Sequence, residues 1–153
     1  MRSDESGVNS LFVLRPAESG DISFIFNSFL KSYRDGEAVR SVPNTVYYAE
    51  QHKVIEKILQ RPQILVSVAC CPEDHSEIYG FVICEYRDNT AIIHWCYVKF
   101  ALRGFGVAKS LLDLVVTDNI QRVEYSHRTK VIDKLGNRLK DFIYNPYTAF
   151  YGE

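Results

Sequence analysis

Residues 91–112 of the 153-residue chain are AIIHWCYVKFALRGFGVAKSLL. The first half of this stretch is rich in β-branched and aromatic side chains, which predicts a strand over residues 90–99. Two glycines then precede apolar residues at helical spacing, which predicts a helix that begins at Val107. Glycines leave backbone N–H groups uncovered at the positive end of the helix dipole, and without Cβ atoms they let an anion approach closely. The stretch therefore predicts a strand, a loop able to bind phosphate, and a helix.

Two common phosphate-binding loops do not fit this stretch. The Walker pattern needs a glycine immediately before Lys109 and Ser110 and another glycine five residues earlier, but Ala108 and Arg103 occupy those positions. The dinucleotide fingerprint needs a third glycine at Lys109 and a place after the first strand of the chain. Neither a Walker loop nor a dinucleotide-binding fold is predicted.

The flanking sequence predicts one domain over residues 1–153, with a loose tail over residues 1–10. Alternating and β-branched residues indicate strands, and apolar residues three and four apart indicate helices. The predicted order is strand 11–14, helix 22–33, a helix after Asn44 that ends before Pro62, strands 63–71, 78–86 and 90–99, helix 107–119, strand 123–126, helix 129–140 and strand 142–147. Short polar turns predict that the three middle strands form an antiparallel meander, and the last strand–helix–strand unit predicts one parallel pairing. The fold class is therefore α+β, with a mixed, mostly antiparallel central sheet flanked by about four helices.

Composition excludes several classes of protein. The chain has 18 Lys plus Arg and 19 Asp plus Glu, and a net charge of −1 is not that of a general nucleic-acid binder or a polybasic membrane binder. The N-terminal residues are polar and of mixed charge, so no secretory signal is predicted. The longest apolar run, residues 64–71, is too short to span a bilayer. We therefore expect a cytoplasmic protein with neither a nucleic-acid nor a membrane partner.

The four cysteines indicate neither a metal site nor a disulfide framework. Cys70, Cys71, Cys84 and Cys96 form no C-x-x-C pair, and all four lie in apolar stretches. Reduced, buried thiols are the expected state. Cys96 has no obvious activating partner in the sequence and is not expected to be a nucleophile.

A second pattern does fit residues 91–112. Arg103, Gly106 and Ala108 match the pattern Arg/Gln-x-x-Gly-x-Gly/Ala, after a strand that ends apolar-x-Val and before Leu111 and Leu112. In this motif, and in the order of elements over most of the chain, the sequence resembles the GCN5-related N-acetyltransferase (GNAT) superfamily. The resemblance implies an acetyl-CoA-dependent N-acetyltransferase that needs no metal. A primary amine of a small molecule or a protein would attack the thioester directly, a tetrahedral intermediate would form, and coenzyme A would leave as a thiolate.

The resemblance also implies where acetyl-CoA binds. In the family, the fourth strand separates from the fifth, and the pantetheine arm enters the gap and pairs with the strand backbone. Here the backbone of Cys96 and Val98 would make these contacts, and one of their N–H groups would polarise the thioester carbonyl. Backbone amides and two basic side chains would hold the pyrophosphate. These pyrophosphate contacts would come from Arg103, Gly104, Phe105, Gly106, Val107, Ala108 and Lys109.

His94 is the leading candidate for a general base that delivers a neutral amine. It lies on the fourth strand with the same parity as Cys96 and Val98. It also matches one of two histidines that arylalkylamine acetyltransferases carry there, and Ile92 occupies the other position. Glu85 on the third strand is the second candidate. The alternatives without a catalytic role are a satisfied core histidine and a glutamate on a solvated strand face.

The sequence departs from the family at the general acid. Many members have a tyrosine, within a run like Tyr-Glu-Lys-Leu-Gly-Phe, that protonates the leaving thiolate. The corresponding residues 132–137 are IDKLGN, so Ile132 stands at the acid position. Tyr125, His127 and Tyr147 are alternative donors, or the thiolate leaves unassisted. A further alternative is lost catalysis, which would make the chain a silent acyl-CoA-binding or protein-interaction module.

Charge is unevenly distributed along the chain. Residues 1–88 contain 9 basic and 13 acidic side chains, whereas residues 89–140 contain 9 basic and 4 acidic ones. The acidic part includes the expected acceptor side, with Tyr47, Tyr48 and the loop 34–45, and this predicts a cationic amine acceptor. The last strand, 142–147, would pair between two chains of a homodimer if it is exposed.

Overall fold

The computed structural model describes residues 11–128 and 142–151, which form a six-stranded sheet in the order β1-β2-β3-β4-β5-β6. The strands are β1 (Val13–Pro16), β2 (Ile64–Cys70), β3 (Ile78–Arg87), β4 (Thr90–Val98), β5 (Arg122–Tyr125) and β6 (Phe142–Tyr144). The helices are α1 (Ile22–Tyr33), α2 (Asn44–Leu59) and α3 (Val107–Val115). The predicted α+β class is confirmed. The predicted helix 129–140 and the tail 1–10 lie outside the described residues.

The first four strands are antiparallel, as the sequence predicts for the meander of β2, β3 and β4. Polar turns close these pairs: the N–H of Cys71 donates to the carbonyl of Glu77 at 2.9 Å, and Asp88 adopts φ 54° between β3 and β4. Strand β1 lies two residues later than predicted. Pro16 is tolerated there because an edge strand leaves one row of N–H groups unpaired.

The last three strands are parallel. Strand β4 pairs with β5 and β5 pairs with β6 in the same direction, so the structure has two parallel pairings where the sequence predicted one. The additional pairing exists because α3 connects β4 to β5 as a crossover helix.

Helices cover both faces of the sheet. On the α1–α2 face, the core is made of Ile25, Phe29, Ile55 and Ile58 with Phe81, Ile83 and Trp95 of the sheet. On the α3 face, it is made of Val107, Leu111, Leu112 and Val115 with Val82, Cys84, Ile93 and Cys96. Neither face has a helix, among the described residues, with the length and apolar content of a membrane span.

Helix α3 is shorter than predicted and ends at Val115 rather than near residue 119. The hydroxyl of Thr117 bonds the side chain of Asn119, and the N–H of Ile120 donates to the carbonyl of Thr117 at 3.0 Å. Polar side chains that bond locally favour a turn over a further helical turn.

Strand β6 is also shorter than predicted and ends at Tyr144 instead of residue 147. The side chain of Asn145 accepts from the N–H of Tyr147 at 3.2 Å, which begins the 3-10 helix Pro146–Phe150. Pro146 has no N–H to continue a strand ladder.

A β-bulge places His94 on a different face from the one predicted. The ladder between β3 and β4 shifts register by one residue, and His94 is the extra residue on β4. Strict alternation would place it on the α3 face beside Cys96 and Val98. Its ring instead hydrogen-bonds Glu85 and Ser126 on the α1–α2 face. The parity prediction for His94 is therefore wrong, because one bulge residue inverts the alternation that the prediction assumed.

Candidate active site

Strands β4 and β5 separate part-way along β4. They pair over Thr90–Ile93, and beyond that register the N–H of Ser126 donates to the carbonyl of Ile93 at 3.1 Å. Strand β5 ends at Tyr125, whereas β4 continues to Val98. Among residues 11–128 and 142–151, a gap therefore opens along the last residues of β4, and we refer to this opening as the β4–β5 gap.

The backbone of β4 presents polar groups to the β4–β5 gap. The N–H of Lys99 donates to the carbonyl of Tyr79 on β3 at 2.8 Å. Because successive residues of a strand point their backbone groups to opposite edges, those of Cys96 and Val98 point into the gap. The Nε of Arg103 donates to the carbonyl of Val98 at 3.0 Å, which agrees with this orientation.

The loop before α3 has the backbone shape that its glycines allow. Gly104 and Gly106 adopt φ values of 89° and 83°, a region that other residues rarely occupy. Gly106 immediately precedes α3, whose first N–H groups form the positive end of the helix dipole. A Cβ atom built at either glycine meets nothing within 4 Å, so the space beside the loop is open. Residues 103–106, the glycine loop, can therefore accommodate an anion.

The two basic side chains near the glycine loop already have partners. The Nζ of Lys109 lies 2.7 Å from Asp113 Oδ2, one helical turn away, and both side chains are largely exposed. The guanidinium of Arg103 also lies over the ring of Phe100, with 5.5 Å to the centroid. An exposed ion pair is weak, so Lys109 can exchange Asp113 for a bound phosphate.

A cavity of about 830 Å³ lies along β4, and we call it the β4 cavity. Its walls come from the C-terminal end of α1, the loop that follows α1, β4 residues 95–98 and Tyr144. Two carboxylates, Asp35 and Glu37, and the guanidinium groups of Arg40, Arg103 and Arg128 line it as well. The cavity can therefore receive a ligand that carries a cationic and an anionic part.

A chain of hydrogen bonds connects five buried side chains behind the β4 cavity. Glu85 Oε1 lies 2.8 Å from His94 Nε2, and His94 Nδ1 lies 2.7 Å from Ser126 Oγ. Ser126 Oγ lies 2.7 Å from His127 Nδ1, and His127 Nε2 lies 3.0 Å from the amide nitrogen of Gln51. We call these five residues the buried chain.

With the amide of Gln51 oriented as the structure has it, the direction of each hydrogen bond in the buried chain follows from the chemistry of its partners. An ionised carboxylate can only accept, so His94 Nε2 carries a hydrogen and donates to Glu85. The amide nitrogen of Gln51 can only donate, so His127 Nε2 is an acceptor and Nδ1 carries the hydrogen. His127 then donates to Ser126, and Ser126 donates to His94 Nδ1. Both imidazoles are neutral in this arrangement.

Glu85 is ionised although it is buried. Burial by itself would raise its pKa, but hydrogen bonds from His94 and Arg61 outweigh that effect and lower the pKa to about 2. Arg61 lies 2.7 Å from one carboxylate oxygen, and the Nε of Arg87 lies 3.0 Å from the other. Glu85 is only 2% exposed. The alternative that the sequence left open, a glutamate on a solvated strand face, is therefore wrong.

The two histidines of the buried chain are neutral at pH 7. Burial lowers the pKa of His94, and its hydrogen bond to Glu85 only partly opposes that shift. Burial, followed by repulsion from His94, lowers the pKa of His127 to about 3. The ring of His127 lies edge-on to Phe29 and Tyr33, with centroids 5.0 and 4.8 Å away.

The other predicted site residues lie apart from the buried chain. Tyr125 belongs to the core on the α3 face, and Tyr147 is exposed. Burial raises the pKa of Cys96 to about 12, which keeps its thiol protonated. Ile132, at the expected position of the general acid, is outside the described residues.

Sequence reasoning missed Ser126 and Gln51. Neither residue belongs to a motif, and Gln51 is 76 positions away from His127 in the chain. The sequence carried no usable signal for Ser126, because the predicted strand 123–126 includes it and the bulge that brings His94 to it is seen only in the structure.

No protein-family model matches the sequence, and no curated protein matches it. Solved structures do match. A candidate acetyl transferase from Pyrococcus furiosus superposes with a TM-score of 0.64 at 20% identity, over 83% of this chain and 91% of that chain. A predicted acetyltransferase from Clostridium acetobutylicum, solved with acetyl-CoA, superposes with a TM-score of 0.61 at 19% identity, over 84% of this chain and 88% of that chain. An acetyltransferase of the GNAT family from Staphylococcus aureus superposes with a TM-score of 0.57 at 16% identity, over 84% of this chain and 81% of that chain.

At identities this low, the likeness establishes the fold and leaves activity to the chemistry of the site. The six-stranded sheet contains the β4–β5 gap, and the glycine loop lies between β4 and α3. The chain therefore has the fold of the GNAT-family acetyltransferases.

Proposed function

We propose that this protein is an N-acetyltransferase that transfers an acetyl group from acetyl-CoA to a primary amine. The main observation is the contact between the glycine loop and the edge of β4, where Arg103 Nε lies 3.0 Å from the carbonyl of Val98. An unpaired strand edge suits the amide-bearing pantetheine arm, and a helix N-terminus suits a pyrophosphate. The two features adjoin each other, as a ligand with both parts requires.

In the proposed complex, the pantetheine arm pairs with the backbone of Cys96 and Val98. Arg103 releases the carbonyl of Val98 and turns its guanidinium to the phosphates. The amides of residues 104–108 hold the pyrophosphate, and Lys109 exchanges Asp113 for a phosphate oxygen.

The proposed reaction is a direct transfer. The amine nitrogen bonds to the thioester carbon, and a backbone N–H at the β4 edge stabilises the tetrahedral oxyanion. The carbon–sulfur bond then breaks and coenzyme A leaves as a thiolate. Cys96 is not a nucleophile in the proposed reaction, because burial keeps its thiol protonated.

The proposed acceptor is a cationic amine that enters through the β4 cavity. Asp35 and Glu37 follow α1 and line that cavity, so they can bind a second ammonium group of the acceptor. The attacking amine itself must be neutral. His94 is fully buried and does not line the β4 cavity, so it does not take the amine proton by direct contact.

Calorimetric titration with acetyl-CoA tests the binding part of this proposal. Wild-type protein is expected to bind, and Gly106→Glu should weaken binding by about 100-fold or more, because it fills the glycine loop with a negative side chain and strains a positive φ. Gly20→Glu is the matched control, since Gly20 is exposed and remote from the loop in sequence. Failure of the wild-type protein to bind acetyl-CoA would contradict the proposal.

Coenzyme A release, followed with a thiol reagent, separates an enzyme from a silent acyl-CoA-binding module. A panel of polyamines, aminoglycosides and lysine-containing peptides should include at least one acceptor that releases coenzyme A. A protein that binds acetyl-CoA but releases no coenzyme A with any amine would be the silent module.

A further inference from the structure

The loop between α1 and α2, residues 34–43, has two faces, and we call it the 34–43 loop. One face lines the β4 cavity with three charged side chains, those of Asp35, Glu37 and Arg40. The other face points inward, where Val39 and Val42 pack against the core on the α1–α2 face. The side chains that an acceptor would meet are therefore different from those that fasten the loop to the protein.

Backbone hydrogen bonds give the 34–43 loop a defined course. The N–H of Gly36 donates to the carbonyl of Tyr33 at 2.9 Å. The N–H groups of Val39 and Arg40 donate to the carbonyl of Gly36 at 3.0 and 2.9 Å. A Cβ atom at Gly36 would lie 3.0 Å from the carbonyl oxygen of Tyr33, so the first turn is tight. The loop is therefore a series of hydrogen-bonded turns.

The side chain of Arg34 closes the 34–43 loop. Its Nε donates at 2.9 Å to Oδ1 of Asn44, the first residue of α2. Its two terminal nitrogens donate to the carbonyls of Val39 and Val42 at 2.7 and 2.5 Å. The guanidinium also lies over the ring of Tyr47, 4.9 Å from the centroid. One side chain therefore joins the end of α1 to the second half of the loop and to the start of α2.

Arginine is specifically suited to this position. Its planar guanidinium presents N–H groups in several fixed directions, whereas the ammonium of lysine is a single donor atom on a flexible stem. The surface beneath the guanidinium is also fixed, because Tyr47 is 2% exposed and its hydroxyl donates to the carbonyl of Leu30 at 2.6 Å. Arg34→Lys therefore keeps the charge but cannot keep all three hydrogen bonds.

We propose that Arg34 is a positioning residue for the acceptor, which holds Asp35 and Glu37 at the β4 cavity before the acceptor binds. This inference rests on the proposed acetyltransferase function and its cationic acceptor. A loop that is already ordered loses little conformational freedom on binding, so more of the interaction with the two carboxylates contributes to affinity. Arg34 itself does not line the cavity, and it acts through the loop.

Steady-state kinetics of Arg34→Lys test this role with the fastest acceptor of the amine panel. The variant should raise the KM for that acceptor about two- to fivefold at low salt, with kcat and the KM for acetyl-CoA unchanged within about twofold. Arg122→Lys is the matched control, because Arg122 is an exposed arginine of β5 that pairs with Glu124 at 2.6 Å. An acceptor KM that is the same in Arg34→Lys and Arg122→Lys would overturn the proposal.

A double-mutant cycle separates positioning from a purely structural role. In a protein that already carries Asp35→Asn and Glu37→Gln, the loop has no carboxylate left to position. Adding Arg34→Lys to that protein should therefore change the acceptor KM by less than about 1.5-fold. Effects that multiply independently would overturn the positioning role and leave the acetyltransferase function intact.

Amide hydrogen exchange tests the order of the 34–43 loop without any turnover. The amides of Gly36, Val39 and Arg40 should be protected in the wild type and should exchange about tenfold faster or more in Arg34→Lys. Asn44→Ala removes one acceptor of Arg34 and no helix cap, so it should speed exchange of the same amides and serves if Arg34→Lys does not fold. Equal exchange in the wild type and the folded variants would overturn the proposal. A protected loop in a wild type that releases no coenzyme A with any amine would overturn the acetyltransferase function instead.

Discussion

At the scale of single residues, Glu85 is the anchor of the site. One buried carboxylate binds Arg61, Arg87 and His94. Glu85→Ala should lower the free energy of unfolding by about 3–5 kcal/mol, because it leaves the guanidinium of Arg61 buried without its counter-charge. Urea unfolding measures the change.

The control for Glu85→Ala is Glu50→Ala, which removes an exposed carboxylate paired with Lys53 at 3.1 Å. The free energy of unfolding of that variant should differ from the wild-type value by less than about 0.5 kcal/mol. Equal, small losses in the two variants would show that Arg61 finds another partner and that Glu85 does not anchor the cluster.

The shifted pKa values of the site predict loss of stability in acid. The pKa of Glu85 falls from 4.5 to about 2, so its contribution is present above pH 4.5 and is lost as the pH decreases toward 2. The pKa values of His94 and His127 are lowered from 6.5 in the native state. Below pH 6.5 both histidines therefore become protonated more readily in the unfolded chain than in the native protein, which favours unfolding. All three shifts therefore have the same sign, and the free energy of unfolding should decrease steadily below pH 6.5.

Urea unfolding at constant ionic strength between pH 7 and pH 3 measures this decrease. In Glu85→Gln, the decrease between pH 4.5 and pH 3 should be smaller than in wild type, because the titrating group is absent. A stability that stays constant from pH 7 to pH 4 would contradict neutral, buried histidines.

The cysteines should differ sharply in reactivity. Cys71 is half-buried, whereas Cys70, Cys84 and Cys96 are buried. Burial raises the pKa of both Cys84 and Cys96 to about 12. Iodoacetamide at pH 8 should therefore label native protein at Cys71 alone, as read by mass spectrometry of peptides. Acetylation or rapid labelling of Cys96 would contradict the direct-transfer mechanism.

At the scale of elements, the contact between β3 and β4 sets the position of the β4–β5 gap. Gly80 lies opposite Val98, and a Cβ atom there would collide with the backbone carbonyl of Tyr97. Gly80→Ala should therefore destabilise the protein by about 1–3 kcal/mol and weaken acetyl-CoA binding, because β4 must move. Gly20→Ala is the control, since its Cβ would meet nothing within 4 Å. Thermal unfolding and calorimetry check both effects, and a Gly80→Ala protein as stable as Gly20→Ala would show that the strands do not pack this closely.

The type and order of the described helices and strands could be predicted from the sequence, but several of their ends could not. Apolar periodicity identifies α1, α2 and the strands because burial of one face dominates their energetics. The end of α3 depends on side-chain bonds of Thr117 and Asn119, and the end of β6 on Asn145. Local hydrogen bonds between polar side chains do not alter the apolar periodicity of a sequence, so periodicity cannot predict them. The bulge at His94 does not alter that periodicity either, yet it moves the His94 side chain from the α3 face to the α1–α2 face.

At the scale of the whole molecule, the site depends on contacts that only the folded topology creates. The glycine loop could be predicted from neighbouring residues because its chemistry is local. The buried chain combines α2, β3, β4 and the residues after β5, and its members Gln51 and His127 are 76 positions apart. The motif therefore predicted the glycine loop, and coenzyme A binding there stays a prediction, whereas the surroundings of His94 required the structure.

The uneven charge of the molecule gives the last prediction, which concerns the acceptor. Asp35 and Glu37 belong to the acidic part of the chain and line the β4 cavity. If the acceptor is a diamine, the double variant Asp35→Asn with Glu37→Gln should raise its KM about two- to fivefold at low salt, and added salt should reduce the difference. The KM for a neutral monoamine should not change. The double variant Glu50→Gln with Glu56→Gln, which removes two exposed carboxylates of α2, is the control. Preferential turnover of neutral or anionic acceptors by the wild type would contradict a cationic acceptor and would direct the search to the arginines of the same cavity.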